Sequence, residues 1–337
     1  MCQSMLAAMD IQYRIKRRIA LGLMLIAAGV LCLSLLGAVA PRIDIFSPFR
    51  WHACAATVGA LLALAWPRRM MTMVLASALA ALVVPVGLAH WRGIAADAAG
   101  LPARAPELAA GTKRTLKIIS FNTWDKAAND AEIEAFLRAE HADVVILAEV
   151  GPPKQAMLER LTTQYGWQVQ CAATWDCALA LLSRLPIEAS GSKDASRQSP
   201  ALVWARIGGE AGDLTVIGVH VHRPTRNAQR HLGQIRGLAE LTRAVRGQII
   251  VAGDFNAPAW SHSVSWFLQA AQLKPMTRLL PTWPSWPVAL PQFALDHVFV
   301  SRDVVFESVR TGPASGSDHL PVIATVTVPV ALKTEGD

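Results

Sequence analysis

Several things are scarce in this chain of 337 residues. Its five cysteines (Cys2, Cys32, Cys54, Cys171 and Cys177) include no Cys-x-x-Cys pair, and none stands at metal-ligand spacing from a histidine. That excludes a structural zinc site. Nowhere do five Lys or Arg follow one another, so the chain carries no polybasic arm for nucleic acid. Acidic residues are few in the first third: residues 1–112 hold 4 of the 25 Asp+Glu against 10 of the 32 Lys+Arg, whereas residues 113–337 hold 21 and 22. The formal net charge of +7 therefore sits beside hydrophobic segments, where it reads as membrane topology, and the larger part of the chain is close to neutral.

From Ile19 to Ala40 no charged residue occurs, and at about 1.5 Å per residue the stretch is roughly as long as a bilayer is thick. Two further apolar runs follow, Trp51 to Trp66, short for a span, and Met70 to Leu88, separated by Pro67-Arg68-Arg69. A signal peptide has a shorter apolar core and no such successors. The sequence thus predicts a membrane anchor over residues 1–90 with three spans (19–40, 51–66 and 70–88). Arg14, Lys16, Arg17 and Arg18 before the first span, and Arg68 and Arg69 between the second and third, face the cytoplasm by the positive-inside bias. Three crossings then place the rest outside, in the periplasm or cell exterior, on a multi-pass inner-membrane protein. Residues 91–114, rich in Ala, Gly and Pro, read as a linker, and 330–337 as a tail.

Residues 115–329 alternate short apolar runs with polar turns and a few helical patterns, as an α/β domain does. The predicted strands end in chemistry. Leu116–Phe121 runs into Asn122, Val144–Ala148 into Glu149, Leu214–Val219 into His220, and Gln248–Ala252 into Gly253-Asp254-Phe255-Asn256. Phe293–Leu295 precedes Asp296-His297, and Ser317-Asp318-His319 precedes the strand Leu320–Val326. Loops at strand ends converge on one edge of a sheet, where functional groups collect.

Ser-Phe-Asn122, Leu-Ala-Glu149, Val-His220, Gly-Asp254-Phe-Asn256, Leu-Asp296-His and Ser-Asp318-His319, in this order, resemble the signature of the endonuclease/exonuclease/phosphatase family. Leu-Leu-Ser183-Arg184-Leu-Pro186 and Asn256-Ala-Pro258-Ala-Trp260-Ser261 are similar to its membrane-anchored bacterial branch. The resemblance implies an α/β fold of four layers, two packed mixed β-sheets flanked by helices (DNase I-like), here preceded by an all-α transmembrane region. It implies hydrolysis of phosphoesters with Mg²⁺, or Mn²⁺ in its place, held by Glu149 with Asn122 and Asp318 completing or supporting the site. Asp254 is then the base toward water, and Asn256 holds that water or a phosphate oxygen. His319 stabilises charge on phosphate and is oriented by Asp296, with His220, or alternatively His222, as a second donor. One departure is Trp124, where many nucleases of the family have a carboxylate two residues after the motif asparagine. Asp125 follows it, and Trp124 is alternatively a wall for an apolar substrate.

The expected function is a membrane-held phosphodiesterase or phosphatase, with the lipid bilayer as partner and a lipid-linked phosphate favoured as substrate. No obligate protein partner is evident. A tethered nuclease is the alternative reading and a non-catalytic binding protein a further one. Arg223, Arg226, Arg230, Arg236, Arg243 and Arg246, interleaved with Leu and Ile, read as the solvated face of an amphipathic helix. The indoles of Trp283 and Trp286 either rest at a headgroup interface or pack on their own domain. Cys171 and Cys177 are either a disulfide across a hairpin or two small core residues.

Overall fold

The structure, a computed structural model, describes residues 2–65, 113–126, 129–171, 177–208, 214–276, 280–287 and 292–329. It divides into two compact units, Met1–Ala96 and Asp97–Asp337.

The described residues of the first unit, 2–65, form a helical hairpin. Helix α1 (Cys2–Leu35) leads through 3₁₀ turns at Leu36–Ala38 and Pro41–Phe49 into α2 (Arg50–Ala65). Leu31 packs on Ala53 and Cys54, and Met24 on Ala60 and Leu61. Arg50 Nη2 donates to the Ser34 carbonyl at 2.8 Å, satisfying an acceptor that the end of α1 leaves without an intrahelical donor. Within α1 the stretch Ile11–Leu35 (25 residues, its most apolar 18-residue window at a mean hydropathy of 2.2) is long and apolar enough to cross a bilayer, and among the described residues it is the one helix that is. The helix takes in Arg14 to Arg18, which the sequence reading set ahead of the span, and stops at Leu35 instead of Ala40. Pro41, which has no N–H to donate, opens the next turn. Helix α2 runs through 16 described residues, about 24 Å. The expected span 70–88 and the linker up to residue 112 lie outside the described residues.

The second unit stacks helices, sheet, sheet and helices. One sheet has the order β11-β12-β1-β2-β4-β3, with β1 Lys113–Asn122, β2 Val144–Ala148, β3 Trp167–Gln170, β4 Leu179–Ser183, β11 Val305–Thr311 and β12 Val322–Pro329. The other has the order β5-β6-β7-β8-β10-β9, with β5 Ile187–Lys193, β6 Ala201–Ile207, β7 Leu214–His220, β8 Gln248–Asp254, β9 Leu273–Lys274 and β10 Asp296–Ser301. Pairing is antiparallel except for β1 with β2 and β7 with β8, so both sheets are mixed. A helix lies between the two parallel strands in each case: α3 (Asp130–Glu140) in the first and α5 (Ala228–Ala244) in the second. The remaining helices are α4 (Gln155–Leu161) and α6 (His262–Ala271).

Each strand sorts its side chains by the two-residue period. Leu116 and Ile118 of β1, Val144 and Ile146 of β2, Val216 of β7, Ile250 and Ala252 of β8, and Val298 and Val300 of β10 meet between the sheets. The intervening residues turn outward. Ile119, Phe121 and Leu147 meet Ile133 and Leu137 of α3, while Ile217, Val251 and Phe299 meet Ile235 and Leu238 of α5 and Phe267 of α6. Each fully buried Leu, Ile or Phe of these layers contributes roughly 1.5–3 kcal/mol. The sequence-predicted strand Phe293–Leu295 is reduced to a single bridge between Trp283 and Phe293. Cys171 and Cys177 are bonded, with Cα atoms 5.6 Å apart, just after β3 and just before β4, which pair antiparallel.

Candidate active site

The same period delivers the motif residues to one place. On β1, β7, β8 and β10, the positions that face between the sheets continue at the strand ends into Asn122, His220, Asp254 and Asp296. Register sets them side by side. His220 pairs with Asp254 across the parallel β7/β8 ladder, and Asp296 pairs with Asp254 across β10/β8. On the other sheet Asn122 pairs with Ala148, so Glu149 is the next residue beyond the strand. Glu149, Trp124 and Asn256 all adopt left-handed backbone (φ 59°, 53° and 50°), a conformation uncommon outside glycine, which turns the chain sharply where strand becomes site. Gly253 (φ 148°) lies where a Cβ would fall 1.9 Å from the Val219 carbonyl, so the residue before Asp254 admits no side chain.

Asp254 is the hub. Its Oδ2 accepts from Asn122 Nδ2 at 3.0 Å and from Asn256 Nδ2 at 3.2 Å, and its Oδ1 accepts from the Asn256 backbone N–H at 2.7 Å. His220 Nε2 stands 3.7 Å and His319 Nε2 3.9 Å from Oδ2. Burial pushes the Asp254 carboxyl above the ordinary carboxylate value and the Asp296 charge adds to this, against the pull of His319 and His220. His319 is held from behind, its Nδ1 2.7 Å from Asp296 Oδ2. Burial lowers the imidazole, but Asp296, Asp254 and Asp318 together outweigh that and raise it to about 9, so it stands as the imidazolium at neutral pH. The second oxygen of Asp296, Oδ1, is buried without a hydrogen-bond partner.

Glu149 lies beside this hub. Its Oε1 accepts from Asn122 Nδ2 at 3.0 Å, its Oε2 accepts from the Asp125 N–H at 3.1 Å, and His220 Nε2 and Arg223 Nη2 each stand 3.8 Å from Oε1. Burial raises its carboxyl, yet His220, Asn122 and the Asp125 N–H bring it below the ordinary value, so it is ionised. Asp318 is raised by burial, against His319 and the 3.1 Å hydrogen bond that its Oδ2 accepts from Trp283 Nε1. Glu149, His220 and Asp318 line a cleft of about 400 Å³ together with Trp124, Asp125 and Arg223.

All eight residues marked in the sequence fall in this one constellation, and His220, not His222, stands over the acids. The Asn256 amide nitrogen is engaged by the Val221 carbonyl at 2.9 Å and by Asp254. Asn122 braces Glu149 and Asp254 at once, tying one sheet to the other. Sequence reasoning missed Ser317, whose Oγ donates to the Asn122 carbonyl at 2.7 Å and accepts the His319 N–H at 3.1 Å. It also missed Trp283 as the donor to Asp318 and Arg223 as a neighbour of Glu149. The place of Ser317 within Ser-Asp-His was the available signal for the first; nothing local marked the other two.

The arginines do not form a single solvated helix face. Arg236, Arg243 and Arg246 are exposed and outside the cleft, whereas Arg223 and Arg230, both half-buried, and the exposed Arg226 line the cleft. Arg223 and Arg226 precede α5, which begins at Ala228, so helical periodicity does not govern them. The indoles divide as well. Trp283 packs on Phe293 (centroids 5.8 Å apart), while Trp286 is 57% exposed and stacks at a tilt on Trp124, 5.3 Å away.

Carboxylates and an amide suit a hard divalent cation. Glu149 and Asp318, both in the cleft, supply such donors, and Glu149 is ionised and pre-set by two hydrogen bonds. A second grouping, Asp254, Asp296 and His319, brings three potential ligand atoms within 4.8 Å of one another. There the positive imidazolium already sits between two carboxylates, at 2.7 Å and 3.9 Å, so the charge a cation would bring is supplied by a proton. The donor chemistry therefore fits Mg²⁺ or Mn²⁺ at Glu149 and Asp318.

A sheet sandwich whose strand ends gather carboxylates, amides and a buried imidazolium around one cleft defines a class of phosphoester-cleaving proteins. Residues 119–319 match the model of the Endonuclease/Exonuclease/phosphatase family, and the chain belongs to that family, whose members are in general phosphoester hydrolases. The fold is likewise similar to that of the endonuclease/exonuclease/phosphatase from Beutenbergia cavernae (18% identity, 64% of this chain and 72% of that one, TM-score 0.53). It is also similar to an endonuclease/exonuclease/phosphatase family protein from Bacteroides thetaiotaomicron (14% identity, 65% and 100%, TM-score 0.53). A UPF0294 protein of Vibrio campbellii is 28% identical over 119 residues, which cover 34% of this chain and 40% of that protein.

Proposed function

We propose that this protein is a Mg²⁺-dependent phosphoesterase held at the bacterial inner membrane with its active site outside the cytoplasm, acting on a lipid-linked phosphate. The observation that carries the chemistry is Asp254. It is buried, oriented by three hydrogen bonds, and raised in proton affinity beside a protonated His319. A carboxylate so placed takes a proton from an attacking water, and a raised value makes it a better base. The imidazolium of His319, fixed by Asp296, donates to the phosphate oxygen on which charge grows, and His220 donates beside it. Glu149 and Asp318, braced by Asn122 and Trp283, would hold the cation, which would supply positive charge against the phosphate. Asn256 keeps Asp254 aimed.

The membrane assignment draws support from the apolar stretch Ile11–Leu35 and from the cationic Arg14, Lys16, Arg17 and Arg18 at its start. The lipid assignment draws on Trp124 and Trp286, an aromatic pair at the cleft. The test is hydrolysis by the full chain in detergent, with and without Mg²⁺, of a lipid phosphate, a generic phosphodiester and plasmid DNA. Metal-dependent turnover of the lipid that is lost in Asp254→Ala is expected. Preferential cleavage of DNA would make the protein a tethered nuclease, and no turnover of any substrate would refute the reading.

A further inference from the structure

Resting on the reading of the cleft as a phosphoester site, we propose that Arg223, Arg226, Arg230 and Lys126 form a second anion subsite there. It takes a second phosphate that the substrate carries next to the one that is cleaved.

All four side chains line the same cleft of about 400 Å³ as Glu149 and Asp318. The Arg226 side chain makes no hydrogen bond or ion pair among the described residues. Arg230 donates Nε to the Ser196 carbonyl at 3.3 Å, a neutral partner that leaves its charge uncompensated. Among the described residues, Arg223 has one carboxylate partner, Glu149 at 3.8 Å. Two of these cations, Arg230 and Arg226, lie near enough to act on His222, which lines the same cleft. Its imidazole is lowered by burial first, then by Arg230 and Arg226. Like charges gathered in a concave site repel, and an anion between them removes that repulsion while accepting forked hydrogen bonds from each guanidinium.

The wall that carries these groups is built into the fold. Asn256 Nδ2 donates to the Val221 carbonyl at 2.9 Å, and the His222 N–H donates to Gln234 Oε1 at 2.7 Å. Gln234 Nε2 donates in turn to the Ser196 carbonyl at 2.7 Å, the same oxygen that Arg230 reaches. Asn227 caps α5 by accepting from the Arg230 N–H at 2.9 Å. The segment from Val221 to Arg230 is thus tied at one end to the residue that aims Asp254 and at the other to a helix.

This wall discriminates by charge. A headgroup with a choline or ethanolamine cation beside the scissile phosphate would place positive charge against three guanidiniums and is disfavoured. A diphosphate, or a headgroup phosphorylated a second time, places its extra phosphate among them. The limited size of the cleft, about 400 Å³, and the near balance of 22 basic and 21 acidic residues over 113–337 favour a small headgroup over a nucleic-acid strand, which rewards an extended basic surface.

The experiment uses the full chain in detergent and the double variant Arg226→Gln/Arg230→Gln. Binding of inorganic pyrophosphate and of inorganic phosphate is measured by calorimetry in EDTA. Turnover of farnesyl diphosphate against farnesyl phosphate, and of ADP against AMP, separates a lipid from a nucleotide source of the second phosphate. Wild type is expected to prefer pyrophosphate by about tenfold or more, and the double variant to lose that preference. Arg226→Lys retains part of it, since charge persists without the planar fork. Equal affinity for the two anions in wild type, or a preference unchanged in the double variant, would overturn the subsite. Plasmid DNA that displaces pyrophosphate at equal phosphate concentration would overturn the small-headgroup assignment. An Arg-dependent pyrophosphate preference in a protein that hydrolyses nothing would sustain the subsite and refute the hydrolase.

Discussion

Replacing Asp296 by Asn keeps the size of the side chain and an oxygen facing His319 Nδ1, 2.7 Å away in the wild type, but removes the charge. That charge is the largest influence raising the His319 imidazole from 6.5 to about 9, and it works against burial. The rise corresponds to roughly 3 kcal/mol of preference for the imidazolium, and at 1% exposure His319 has little solvent to screen it. With Asn in place, burial regains ground and the ring is largely neutral at pH 7, so Nε2 no longer presents a charged donor to phosphate. Turnover of bis(p-nitrophenyl) phosphate with saturating Mg²⁺ should fall about 10²–10³-fold. In the wild type the rate should decline as pH rises through about 9, and in the variant that alkaline limb should move toward acid. Stability follows the same group. Because the folded-state value lies above 6.5, the contribution of His319 is complete below pH 6.5 and lost as pH rises toward about 9. Urea unfolding of the full chain in detergent at pH 6 and pH 9.5 should therefore show a smaller decline in the variant than in the wild type. A variant with wild-type turnover and an unmoved alkaline limb would refute the pairing of Asp296 with His319 as the source of the donor.

Glu149→Gln keeps the size of the side chain but removes the ionised ligand and one of the two oxygens that accept from Asn122 Nδ2 and the Asp125 N–H, so the Mg²⁺ concentration for half-maximal activity should rise about 10–100-fold; a metal titration superimposable on wild type would exclude Glu149 as a ligand. Gly253→Ala sets a Cβ 1.9 Å from the Val219 carbonyl at a φ of 148°, and should cost about 3 kcal/mol or more in a denaturant melt. A melt unchanged from wild type would show that the β7/β8 ladder tolerates a side chain there.

The chemistry of the site was legible because it is written at strand ends. A run such as Gln248–Ala252 announces its strand by apolar content, and Asp254 stands where that strand must give way to a loop. Which residues meet was not legible, because the meeting is made by register between strands far apart in sequence. Asn122 and Asp254 are 132 residues apart and share a 3.0 Å hydrogen bond. Strand β5, Ile-Glu-Ala-Ser-Gly-Ser-Lys, and strand β11, Val-Phe-Glu-Ser-Val-Arg-Thr, lie at sheet edges and keep much of their length exposed, so they lack the apolar signal of β2 or β4. Arg223 and Arg226 were misread because their spacing happens to continue that of the helix they precede. In the first unit, the apolar content of residues 19–40 located a long helix but not its ends, since charged residues near its start and the turn before Pro41 set those.

Gly218 lies on the face of β7 that looks across to the other sheet, and a Cβ there would come within 2.7 Å of Ile146 Cγ2 and 3.0 Å of Val203 Cγ2. The missing side chain works as a spacer of zero thickness. Asn122 and Glu149 ride on one sheet, and His220, Asp254 and Asp296 on the other, so the gap between the sheets is also the gap between reacting groups. A methyl group added at position 218 acts like a shim in a caliper. It opens the jaws far from any substrate contact, and the hydrogen bond from Asn122 to Asp254 is where the error would be read.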